Sequence, residues 1–118
     1  MSKYMYLFRS NPEAYRSISP EQMQQITKKW MDWKDTLEKN GHIHQFGERL
    51  DGSGKVIRSG GRGKDISVTD GPYVEVKDFV QGYLMVEAKD IDEAVKLAKS
   101  CPILETDGTV EIRPFVST

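Results

Sequence analysis

The segment Ser19–Lys39 constrains this chain more than any other. Met23, Ile26, Trp30, Trp33 and Leu37 recur at spacings of 3, 4, 3 and 4, so an α-helix gathers them into one apolar stripe. Lys28, Lys29, Asp32 and Asp35 fall mostly off that stripe. Both ends carry punctuation. Ser19 can cap free backbone N–H groups, Pro20 suits the first helical position, and Gln22 stands three residues after the cap. Asn40-Gly41 supplies the stop. The pattern predicts a helix over Pro20–Lys39, and a one-sided helix needs a second layer on which to bury its stripe.

The remaining segments supply that layer as strands. Lys3–Arg9 is short, aromatic and apolar, and Asn11-Pro12 breaks it. His42–Leu50 reads as a strand of mixed polarity. The turn Asp51-Gly52-Ser53-Gly54 leads into a brief return, Lys55–Arg58, and Ser59-Gly60-Gly61-Arg62-Gly63 is a flexible bend. Ile66–Thr69 is a short strand ending at Asp70-Gly71-Pro72, and Phe79–Glu87 is apolar enough to lie centrally. Asp90 can cap a second helix, whose Ile91, Ala94, Val95 and Ala98 share a face, ending near Ser100-Cys101-Pro102. Asp107-Gly108 turns into a last strand, Thr109–Arg113.

This order predicts a single domain over residues 1–118, of class α+β: a ferredoxin-like antiparallel sheet with two helices on one face. A parallel sheet is disfavoured, because the turns between the middle strands are too short for crossovers. The second face of such a sheet must also meet something. Tyr4, Tyr6, Phe8, Tyr83 and Met85 supply large side chains to the sheet, so a partner sheet in a homodimer is expected.

Composition narrows the function classes. A length of 118 residues suits one domain, and 17 Lys+Arg against 18 Asp+Glu argues against a direct nucleic-acid binder. No apolar run is long enough for a membrane helix, and Met1–Tyr6 lacks the features of a signal peptide. The lone Cys101 excludes an internal disulfide framework and fits a reducing cytoplasm. One Cys and two His, without CxxC or HExxH, argue against a zinc site, and no cofactor is expected. Ser59–Gly63 lacks the spacing of a phosphate-binding loop and leads into no helix. Cys101 precedes Pro102 at a helix end, where carbonyl groups do not favour a thiolate, so it is not a candidate nucleophile.

Asp70-Gly71-Pro72-Tyr73 is the most informative stretch. It has a bland reading as a turn that aims the next segment. It also has a functional one, in which Asp70 is a carboxylate fixed at a strand end as general base or ligand acceptor. Val68-Thr69-Asp70-Gly71-Pro72-Tyr73-Val74-Glu75-Val76-Lys77 resembles the V-T-D-G-P-F-A-E-T-K-E signature of the YCII-related family, in its DGPF-type branch. Val80–Val86 is similar to that family's L-G-G-F-Y-L-I-E. Lys3–Leu7 resembles its opening K-Y-M-L-L, Gly47–Leu50 its G-G-R-L, Asp90–Ala94 its S-L-D-E-A and Val110–Pro114 its V-E-V-R-P. The resemblance covers nearly the whole chain, in order.

It implies a ferredoxin-like subunit that dimerises into an α/β barrel, with a cleft between sheet and helices near Asp70. Some members of the wider superfamily are small lyases, among them a dehydrochlorinase that uses a His–Asp pair. Others are labelled as transcription-initiation proteins or occur near or fused to sigma factors. Most DGPF-type members have no established activity. The chain departs from the family where a helix His is usual: Trp30 stands there, and an indole does not shuttle protons near neutral pH. Tyr73 replaces a usual Phe, placing a hydroxyl beside Asp70, and Val74 replaces a usual Ala.

Several side chains carry two readings. His42 and His44 lie two apart and share a strand face. Either one approaches Asp70 as a base, or both are polar residues at a sheet edge. Trp30 and Trp33 read first as core and second as the wall of a cleft. Lys77 can hold an anionic ligand or form a solvated pair with Glu75, and Arg62 can close over a ligand from the flexible bend. Three function classes follow. The first is a small-molecule-binding or regulatory domain using Asp70, Tyr73, His42, Lys77 and Arg62, linked to transcription initiation. The second is a cofactor-independent lyase or isomerase in which Asp70 abstracts a proton with His44 or Tyr73. The third is an interaction module that contacts a sigma factor. The first is preferred, because the helix half of a His–Asp pair is missing.

Overall fold

Helix α1 spans Pro20–Lys39, the bounds its stripe predicts. Ser19 Oγ accepts from the Gln22 N–H at 3.1 Å, and the Gln22 side chain accepts from the Ser19 N–H at 3.1 Å, closing the capping box. At the other end Gly41, at φ 77°, takes the left-handed turn. Gly41 N–H then donates to Glu38 O and His42 N–H to Leu37 O, so two of the last carbonyls gain partners. The computed structural model describes residues 1–11, 13, 16–62, 65–71 and 79–117.

The strands are β1 (Ser2–Arg9), β2 (Ile43–Gln45), β3 (Lys55–Arg58), β4 (Ser67–Asp70), β5 (Val80–Ala88) and β6 (Thr109–Pro114). Helix α2 spans Ile91–Ala98 and a 3₁₀ turn spans Pro102–Glu105. Four strands form an antiparallel sheet in the order β2-β5-β1-β6. With α1 between β1 and β2, and α2 between β5 and β6, this is the ferredoxin-like α+β arrangement. The expected single sheet needs one correction. Among the described residues, strands β3 and β4 pair only with each other, as a separate hairpin between the second and third strands of the main sheet.

Alternation along β1 and β5 sorts the two faces. Tyr4, Tyr6 and Phe8 of β1 and Leu84, Val86 and Ala88 of β5 are buried beneath the helices with Trp33, Leu37, Ala94 and Ala98. The expectation that Tyr4, Tyr6 and Phe8 help to furnish the second face is therefore overturned. Tyr6 shows the reason: its hydroxyl donates to Ala94 O at 2.5 Å, and its ring stacks on Trp33 at 6.2 Å. The buried hydroxyl has a partner, so a tyrosine is tolerated in the core. The open face instead carries Met5 opposite Met85 and Leu7 opposite Tyr83.

The strand expected over His42–Leu50 is interrupted. Only Ile43–Gln45 pairs regularly with β5, with a register shift before Gln45. The chain returns to β5 at Arg49, which bridges to Gly82, with Leu50 N–H donating to Gln81 O at 2.6 Å. Two glycines permit this approach. A Cβ on Gly82 would lie 2.9 Å from Glu48 O, and one on Gly47 would collide with the Tyr83 carbonyl.

Candidate functional site

The return of residues 48–52 to β5 leaves a pocket of about 370 Å³ under the N-terminal half of α1. Met23, Ile26, Thr27 and Trp30 come from the helix, Phe8 from β1, and Gln81, Gly82 and Tyr83 from β5. Glu48–Gly52, Phe79 and Ile103 complete the lining. The composition is that of a small-molecule pocket, apolar and aromatic with a few polar groups. Phe8 and Trp30 meet edge to face, with ring centroids 5.0 Å apart and planes at 86°. This pairing fixes the indole as part of the wall.

The two tryptophans of α1 separate in role. Trp33 is buried, and its Nε1–H donates to Leu97 O at 3.1 Å. Trp30 is only half-buried, and its Nε1–H has no acceptor among the described residues. The Lys34 ammonium lies 5.8 Å from its ring centroid, within range of a cation–π attraction. One helical stripe thus serves the core with Trp33 and the pocket with Trp30.

The residues expected to form the site are spread across the molecule. Asp70, at the end of β4, has an 86% exposed side chain ion-paired with Lys55, and it does not line the pocket. His44 Nδ1 lies 3.7 Å from Glu87 Oε1. His42 Nδ1 lies 2.9 Å from Glu87 O; a carbonyl only accepts, so that nitrogen carries the proton. The expected approach of His44 or His42 to Asp70 does not occur within the chain, because the histidines belong to β2 and its edge whereas Asp70 belongs to the separate hairpin. Arg62 lies in the connection between β3 and β4, exposed, at φ 47°, and outside the pocket lining. Tyr73 and Lys77 lie outside the described residues.

Among the described residues, two groups have strongly displaced acidities, and neither lines the pocket. Burial pushes the Cys101 thiol up to about 12. Burial also raises the Tyr6 phenol well above its ordinary value, with smaller contributions from Cys101 and Glu93. Both are core groups held neutral. Among the described residues, no group of three or more His, Cys, Asp or Glu is placed to hold a metal ion, and no helix is long and apolar enough to cross a membrane.

Phe8, Phe79, Glu48 and Arg49 were not singled out for a site by residue pattern. Their signal lay in two glycines: Gly47 and Gly82 mark where backbone meets backbone, and the pocket forms beside that contact. No curated protein matches the sequence. The family model for the YCII-related domain matches residues 2–117, which is almost the entire chain, and the protein belongs to that family.

Proposed function

We propose that this YCII-related domain binds a small, largely apolar molecule in the pocket beneath α1, as a binding or regulatory domain without turnover. Trp30 carries the reading. Its half-buried indole forms part of an apolar wall with Phe8, and its N–H, without an acceptor among the described residues, can meet one on a ligand. No histidine lines the pocket, so the group best suited to move a proton near neutral pH is missing from it. The motif over Val68–Lys77 supports placement in the DGPF-type branch.

The same reading includes a homodimer joined through the open face of the sheet. The Met5–Met85 and Leu7–Tyr83 pairs make an apolar centre. Arg9 and Arg113 on Glu111, and His44 beside Glu87, flank it with charge. An apolar centre with a polar rim is the anatomy of a protein interface.

Titration of intrinsic tryptophan fluorescence with a panel of small aromatic and aliphatic compounds tests the pocket. The expected result is a saturable change with at least one compound class that Trp30→Ala abolishes while the fold persists by circular dichroism. A response retained in full by Trp30→Ala would remove the pocket from the function. Sedimentation of the wild type and Met85→Glu tests the dimer, with the variant expected to be monomeric.

A further inference from the structure

Among the described residues, no second layer covers the apolar side chains of the hairpin β3–β4. Ile57 and Val68 stand directly opposite each other, with 70% and 59% of their surfaces exposed, and Ile66 follows at 69%. Directly paired residues share a face, as do residues two apart, so Ile57 and Val68 share theirs with Lys55 and Asp70. A two-stranded hairpin alone is marginal in water. Ile57 and Val68 thus form an exposed apolar pair on an arm that is weak as a free-standing unit.

We infer that this arm seats its Ile57–Val68 face on a second copy of the chain, extending the sheet-to-sheet contact proposed above, on which this inference rests. A stable interface covers about 800 Å² on each partner, roughly 20–30 residues a side. Among the described residues, the open sheet face is built from short stretches of β1, β5 and β6 with His44, and falls short of that number. The arm supplies further apolar surface.

The chain enters the arm immediately after Leu50 N–H bonds to Gln81 O and after Glu48 O accepts from Tyr83 N–H. The arm is therefore rooted beside Tyr83, which itself stands in the apolar centre of the open face. The radius of gyration is 16.6 Å. A compact chain of this length has about 13–14 Å, and among the described residues β3 and β4 pack extensively only on each other. Seating it on a second copy also carries the Lys55–Asp70 pair into the contact. That gives the exposed carboxylate a place in the assembly that the single chain does not provide.

Sedimentation velocity on the wild type, Met85→Glu and the double variant Ile57→Ser/Val68→Ser tests the inference, with circular dichroism confirming the fold. The expected result is a wild-type dimer whose dissociation constant rises at least about tenfold in the arm variant. A photo-crosslinker at Ile57 is expected to give adducts of twice the chain mass. An arm variant that dimerises as tightly as the wild type, with adducts only within one chain, overturns the arm contact and leaves the sheet contact standing. A wild type that is monomeric throughout overturns both.

Discussion

Strands β1 and β5, in the body of the domain, and strands β3 and β4, in the arm, both form antiparallel pairs that carry apolar side chains. Their outcomes are opposite. In the body, Tyr6, Leu84 and Val86 are fully enclosed. In the arm, Ile57 and Val68 face solvent although they pair in perfect register. Pairing is not what separates them. Each of β1 and β5 has a neighbour on both sides and helices across one face, whereas among the described residues each arm strand has one neighbour and no covering layer. Alternation decides which residues share a face, and a second layer decides whether that face is buried.

Substitutions in the two regions should therefore behave differently. The largest effect is expected at Trp33, whose ring stacks on Tyr6 and whose N–H reaches Leu97 O. Trp33→Ala should cost about 3–5 kcal/mol in chemical denaturation, and a loss below about 1 kcal/mol would place the core elsewhere. Leu84→Ala, in the centre of β5, should cost about 2–5 kcal/mol by the same measurement, because the surrounding side chains fill the vacated space only in part.

Tyr6→Phe is a finer probe of the body. It removes the hydrogen bond to Ala94 O while keeping the ring, and a loss of about 0.5–1.5 kcal/mol is expected. A stability equal to the wild type would mean that the bond contributes nothing. The smallest effect is expected on the arm. Asp70→Ala breaks an exposed pair with Lys55, and surface ion pairs are worth about 0–1 kcal/mol, so the melting temperature at low protein concentration should hardly move. A large drop would show that the arm is bound into the body after all.

Local punctuation was legible from the residues. The capping box at Ser19 and Gln22 and the stop at Asn40-Gly41 act within a few residues, and helix α1 has the bounds they mark. The element order was also legible, because each period of apolar residues is short-range and the connections are brief. The site was less so. Trp30 and Trp33 stand in one stripe, and nothing local distinguishes the tryptophan that enters the core from the one that lines a pocket. That distinction depends on Phe8, Phe79 and residues 48–52, which are distant in sequence and arrive through the sheet.

Asp70 teaches the same lesson in reverse. Its turn chemistry correctly marked the end of β4, yet the carboxylate's surroundings depended on where the hairpin stands relative to the main sheet. By itself, the order of residues determined the helices, the strand periods, their caps and the α+β class, since these follow from backbone geometry and nearest neighbours. Tertiary structure alone decided the pocket under α1, the separation of the arm and the face on which each aromatic lies. Those outcomes rest on which layers meet, and that is a property of the whole packed chain rather than of any segment within it.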